Sequence, residues 1–267
     1  MYNNDEEVIL LQPDQANAHK TAALSKVPEV TLLFWIIKIA ATTLGETGGD
    51  MVSMSMNLGY LVGTGIFAVI FLVAVTVQIR AKQFHPFLYW TTIIATTTVG
   101  TTLADFADRS LGIGYAGGST LLLILLMSSL AIWYRTMGSV SVDSISEPKV
   151  EMFYWVTIMF SQTLGTALGD WTADTAGLGY RGGALVFAGL LALVVAAHYW
   201  TNISRTMLFW TAFILTRPLG AVVGDFLDKP RNAGGLALSR YTASGVLLAF
   251  IVACIMIFPQ RASQKSH

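Results

Sequence analysis

Four aspartates, Asp50, Asp105, Asp170 and Asp225, each follow a tryptophan by fifteen residues and a glycine by five. The tryptophans are Trp35, Trp90, Trp155 and Trp210; the glycines are Gly45, Gly100, Gly165 and Gly220. Each acid lies in an otherwise apolar stretch, where a carboxylate is costly unless something pairs it, protonates it or uses it. A spacing kept four times without a gap marks an internal repeat.

Counting from each tryptophan, positions three, seven, eleven and fifteen are four apart and share one face of an α-helix. The first repeat places Lys38, Thr42, Glu46 and Asp50 there, and the second Ile93, Thr97, Thr101 and Asp105. The third places Ile158, Gln162, Thr166 and Asp170, and the fourth Phe213, Arg217, Ala221 and Asp225. Every strongly polar residue peculiar to one repeat (Lys38, Glu46, Gln162, Arg217) falls on this face. Charged groups in apolar spans face the bundle centre or a wet cavity, so the stripe is expected to point inward. Position eleven lies roughly 16 Å from the tryptophan and position fifteen roughly 22 Å. In a hydrocarbon layer of about 30 Å this puts Glu46 near the middle and the aspartates towards the far surface.

Five carboxylates against two cations on one stripe suit a cation or protons. Glu46 and Asp50, one turn apart, form the first candidate ligand pair or proton carrier. Asp105, Asp170 and Asp225 complete an outer ring, and Gln162, Thr42 and Thr97 are further ion-binding candidates. Lys38 and Arg217 are candidates for gating or for a charge network. His19, His85, His198 and His267 map to loops or tails, so a bound metal would use oxygen ligands and be a hard or borderline divalent cation. Glu46 and Asp50 are its candidate ligands, and no other cofactor is expected.

Plainer readings stand beside these. The aspartates could cap the loops that follow, with Arg109, Lys229 and Arg181 forming local ion pairs. Arg217 and Glu46, about one turn apart in depth, could pair within a structural network. The glycines fit close helix contacts, the threonines can bond their own backbone, and the tryptophans read as interfacial anchors.

The elements that position this stripe follow from composition. Of 267 residues 54% are hydrophobic and 12% charged, half the charge of a typical soluble domain at about 25%. Runs such as Ile66 to Val77 and Gly245 to Phe258 predict an all-α integral membrane protein. Each repeat holds a first segment from tryptophan to aspartate, a glycine-rich loop and a second segment. The second segments are expected at about Tyr60–Ile79, Gly118–Tyr134, Gly182–Tyr199 and Leu236–Phe258. This predicts eight transmembrane helices as four parallel two-helix repeats, the first helix of each lining the centre. The expected organisation is a polar tail (1–29), repeats one and two (30–137), a polar linker (138–149), repeats three and four (150–258) and a second tail (259–267). Nine Lys and Arg residues fall on the tryptophan side and five on the other, which predicts cytoplasmic termini. The zero net charge argues against a nucleic-acid partner. The expected partners are the lipid bilayer and a small cation or proton. No catalytic arrangement is present, so an enzyme is not expected.

The Trp-x9-Gly-x4-Asp hairpins, clearest as Thr43-Leu44-Gly45-Glu46-Thr47-Gly48-Gly49-Asp50, resemble a family of bacterial multi-pass membrane proteins. These are built from tandem two-helix repeats and described as uncharacterised membrane-anchored proteins. The resemblance covers residues 30–258 and implies a bacterial inner-membrane setting. The fourth repeat departs from the pattern with Pro218 and Ala221. Cation transport is the first functional expectation. A non-transporting scaffold, accessory subunit or small-ligand binder, with the stripe as an ion-pair network, is the alternative.

Overall fold

The computed structural model describes residues 25–142, 145 and 147–263. Residues 1–24 and 264–267 of the two tails lie outside the described residues, as do 143, 144 and 146 of the linker. Each first segment of a repeat forms a helix: α1 (Leu32–Asp50), α3 (Pro86–Asp105), α5 (Pro148–Asp170) and α7 (Arg205–Asp228). Each second segment forms α2 (Gly59–Arg80), α4 (Tyr115–Met137), α6 (Gly179–Trp200) or α8 (Arg240–Ile257). Among the described residues there is no strand, only an isolated bridge between Pro28 and Ala262.

Local chemistry sets the ends. The Thr31 hydroxyl accepts the Phe34 backbone N–H and caps α1. Pro86 and Pro148 open α3 and α5, where a missing N–H costs nothing. After Asp50, Asp105 and Asp170 the winding loosens into a five-residue π-helical turn. The residue 24 after each tryptophan is a glycine with positive φ (Gly59 76°, Gly114 75°, Gly179 63°, Gly234 87°), a backbone that β-carbons disfavour. The fourth repeat has no π turn. Its chain folds back so that the Leu236 and Leu238 N–H groups donate to the carbonyls of Phe226 and Leu227. α8 therefore starts at Arg240, four residues later than the apolar pattern suggests.

The first helices form a closed ring: α1 packs on α3, α3 on α5, α5 on α7, and α7 on α1. Each second helix covers the first helix of the next repeat, and α8 returns to cover α1. The repeated glycines explain the closeness. A β-carbon on Gly45 would strike Thr97, one on Gly165 would strike Arg217, and one on Gly220 would strike Thr42. A β-carbon on Gly100 would lie 3.2 Å from Gln162 Cβ. In each case the glycine at position ten receives the position-seven side chain of the next repeat, and the fourth receives that of the first. One turn on, Gly49, Gly169 and Gly224 receive Thr101, Ala221 and Glu46 in the same way. This is small-residue packing, applied cyclically.

Polarity runs inside out. The stripes of the ring helices are buried, whereas only Gly63, Ala74, Val75 and Gln78 are buried in all of α2. Large apolar side chains such as Leu61, Val69, Leu72 and Val73 face outward. Five helices, α2, α4, α6, α7 and α8, are long and apolar enough to cross a membrane. A contiguous exterior of this kind is unsuited to water.

At the tryptophan end the interfacial-anchor reading is corrected. Trp90, Trp155 and Trp210 are buried, and Trp35 packs against the same core. Trp90 Nε1 donates to Gln260 Oε1 (2.8 Å) and Trp210 Nε1 to the Val140 carbonyl (2.9 Å). An aromatic residue precedes each tryptophan (Phe34, Tyr89, Tyr154, Phe209), and the eight rings interlock. The Tyr89 and Tyr154 hydroxyls meet at 2.7 Å. The described parts of the polar tails and linker close over this cluster. Ser25, Lys26, Val27, Val142, Ile145 and Ser263 are buried. The Lys26 N–H donates to Ile145, the Ser263 N–H donates to Val27, and the Lys26 ammonium pairs with Glu151.

Candidate functional site

All sixteen stripe residues are buried, so the ring helices turn the face read from the sequence towards their common axis. Three polar levels stack along it. Moving from the tryptophan end towards the aspartates, the first level is Lys38 with Ile93, Ile158 and Phe213. Lys38 Nζ lies 3.5 Å from the Thr216 hydroxyl and 4.1 Å from the centre of the Phe213 ring.

The second level centres on Arg217, which is 0% exposed. One of its nitrogens, Nη2, reaches a residue of each other repeat. It donates to Glu46 Oε2 (3.1 Å), to the Thr101 hydroxyl (2.6 Å) and to the Thr166 hydroxyl. The Arg217 side chain therefore crosses the axis and blocks it. Pro218 follows within α7, and its ring sits against Gly165. Thr42 spends its hydroxyl on backbone, its single O–H lying within reach of the carbonyls of Ile39 (2.9 Å), Lys38 (3.1 Å) and Thr216 (3.2 Å). Gln162 and Thr97 complete the level, both buried.

The third level is the aspartate ring, and it is not open. Arg109 lies 3.1 Å from Asp105 and 3.2 Å from Asp170. Lys229 lies 2.6 Å from Asp50 and 3.0 Å from Asp225. Each cation thus bridges two neighbouring repeats. Both stand nineteen residues after their tryptophan, in the second and fourth repeats only; Met54 and Asp174 hold that place in the others. Arg109 also donates to the hydroxyls of Tyr60 and Tyr115. Arg240 pairs with Asp228 (2.6 Å) and approaches Asp50 at 3.7 Å. Burial opposes the charge of Arg109 and Lys229, but the flanking aspartates outweigh it and hold both well above their usual pKa. They remain cations throughout the neutral range.

The structure brings Glu46, Asp50 and Asp105 together: one carboxylate oxygen of each lies within 4.8 Å of the others. Buried carboxylate oxygens at this spacing are the donor set of a hard cation. A second group at the same spacing, Asp50, Asp225 and Asp228, shares Asp50 with the first, and Asp170 belongs to neither. Arg181, expected in a local pair, lies instead over the Phe226 ring at 5.1 Å. Sequence reasoning missed the bridging role of Arg109 and Lys229. The shared offset of nineteen residues was the available signal, and it is visible only when the repeats are compared in pairs. The aromatic residue before each tryptophan was likewise a fourfold signal left unread.

Four stretches of the chain, residues 33–84, 88–139, 153–204 and 208–261, match the family described as Repeat of Unknown Function (DUF347). Each match begins two residues before a repeat's tryptophan, and together they cover most of the chain. No curated protein matches the chain, and no solved structure does.

Proposed function

The chain belongs to the DUF347 repeat family, and on that premise we propose that it carries a proton or a small cation across a membrane along the axis of its ring. All eight helices span the bilayer in this reading. The three ring helices too polar to qualify alone, α1, α3 and α5, are sheltered by the apolar helices around them. The repeats run parallel, and the tryptophan end faces the cytoplasm of a bacterial cell. The charge bias supports that orientation, because Arg109, Lys229 and Arg240 on the other side are taken up by aspartates. The activity is transport, not enzymatic catalysis.

One observation carries the reading. Five buried carboxylates (Glu46, Asp50, Asp105, Asp170, Asp225) share the axis with Arg109, Lys229 and Arg217 in pairing distance; Arg240 also reaches Asp50 at 3.7 Å but is matched by Asp228, and Lys38 has no carboxylate in pairing distance among the described residues. On the aspartate side of Lys38 two negative charges are left over in a low-dielectric interior, where like charges this close do not all ionise unaided. Two protons or one divalent cation restore balance, and Glu46, Asp50 and Asp105 form a close group of acids able to hold them. Arg217 then acts as a tethered cation that competes with the transported one for Glu46.

The test is flux into proteoliposomes, comparing wild type with Glu46→Gln and Asp50→Asn. The expected result is proton or cation movement by wild type and its loss in both variants, with thermal stability retained. Wild type that moves no cation, alongside variants as stable as wild type, defeats the proposal. The second reading, a structural network in a non-transporting protein, is favoured by one fact: every aspartate of the ring lies within ion-pair distance of a basic residue. It prevails if the two variants unfold and no cation changes the melting temperature.

A further inference from the structure

The axis changes sign on the tryptophan side of the Glu46–Arg217 pair. Only one nitrogen of the guanidinium faces Glu46 and the threonines; Arg217 Nε and Nη1 are buried without a hydrogen-bond partner. On the neighbouring helix, at the same position seven, Gln162 is 0% exposed and neither amide atom has a partner. The Thr97 hydroxyl, at that position in the second repeat, is buried and unpartnered too. One turn closer to the tryptophans lies Lys38, with no carboxylate within ion-pair distance among the described residues. Lys38 and Arg217 are both fully buried on adjacent levels of the axis, where like charges repel.

These groups have one chemistry in common. Arginine and lysine offer only donors, a glutamine amide offers two more, and a threonine hydroxyl can offer one. A buried donor without an acceptor costs about 1–3 kcal/mol, and more when charged. A lysine without a counter-ion, one turn from an arginine whose only counter-ion lies on its other side, raises that cost further. Water satisfies donors but leaves the repulsion; an anion removes both. The level is narrow, because Gly165 and Gly100 press against Arg217 and Gln162, and Ile93, Ile158 and Phe213 close it on the tryptophan side.

We propose that Lys38, Thr97, Gln162 and Arg217 form a binding site for a small monovalent anion such as chloride. The site does not depend on cation transport, but it shares Arg217 with the proposed pathway. An anion on the Nε side holds the guanidinium away from Glu46 and frees that carboxylate for a cation. Occupancy of the two sites is then positively linked, each raising the other's affinity by the same factor.

The experiment is thermal melting of the full chain in detergent, titrated with sodium chloride against sodium gluconate at fixed ionic strength. A saturable rise in melting temperature with chloride alone is expected. Lys38→Met and Gln162→Leu should each abolish the rise or move its midpoint at least roughly tenfold, the loss of one good hydrogen bond to charge. Glu46→Gln should keep the chloride response while losing flux, which separates failure of this site from failure of the transport reading. Superimposed chloride and gluconate curves overturn the proposal, as does a chloride response unchanged in Gln162→Leu. Should Lys38→Met not fold, the glutamine variant decides, together with bromide density at this level in crystals soaked in bromide.

Discussion

The junction between repeats one and two and the junction between repeats three and four share a backbone plan and differ in charge. In both, a small residue of one helix receives a side chain of the next, and neither is bridged by a cation at the aspartate level. The first junction sets Glu46 beneath Asp50 and Asp105; the second has Thr166 and Ala221 beneath Asp170 and Asp225. Three orders of symmetry therefore coexist. Packing follows a fourfold rule, cation bridging by Arg109 and Lys229 a twofold rule, and Glu46, Lys38, Gln162 and Arg217 each occur once. A scaffold can be duplicated freely, whereas the buried charges that differ between copies are not required by the packing. In the proposed reading, the chemistry lies in the residues that break the symmetry.

The strongest way to break this contrast is at its centre. Arg217→Met leaves Glu46 buried beside two threonine hydroxyls without their donor, and should cost about 3–5 kcal/mol of stability. Adding Glu46→Gln should recover a large part of the loss, giving a coupling above roughly 2 kcal/mol in a double-mutant melting cycle. Additive losses would mean that the two residues act independently.

The packing rule makes a sharper, smaller demand. Gly165→Ala drives a methyl into Arg217 and should destabilise by about 1–3 kcal/mol. Gly48→Ala, three residues along from Gly45, has nothing within 4 Å and should be neutral or stabilise by up to about 1 kcal/mol. Equal effects in melting experiments would remove the fourfold rule.

These positions also show what could be read from the sequence. The stripe was legible because helical geometry alone converts a spacing of four residues into a face, and burial of all sixteen members follows from their polarity. The glycines at position ten were legible as close contacts but not as cyclic ones. Which helix meets Gly220 depends on α7 returning to α1, and no local pattern encodes that. The tryptophans misled because an indole with one polar atom suits a membrane surface and a buried aromatic cluster equally well. The partners that decide between these, Gln260 and Val140, lie 170 and 70 residues away. Arg109 and Lys229 were visible as nearby charges, yet their reach across to the next repeat was not.

The two junctions can next be compared by function. Asp50→Asn, in the junction with Glu46, should lower cation flux at least roughly tenfold, whereas Asp170→Asn should leave it within about threefold of wild type. Equal losses would assign the work to the whole ring. The smallest effect lies at the opposite end. Trp90→Phe removes the hydrogen bond to Gln260 and should cost about 1 kcal/mol, with flux unchanged. A flux defect there would place the aromatic cluster on the conduction path.

Closure of the ring has a consequence for how the chain is made. Glu46 waits for a cation 171 residues further along, and α1 waits for α8, the last helix, to cover it. At about 5–20 residues per second, Arg217 leaves the ribosome roughly 10–30 s after Glu46. Until Arg217 and Lys229 arrive, the two acids of α1 have no counter-ion, and α1 is one of three ring helices not apolar enough to qualify as a span alone. If α1 spans the bilayer as proposed, it must be sheltered until the seventh helix arrives. Closing the ring joins helices that lie far apart in the sequence.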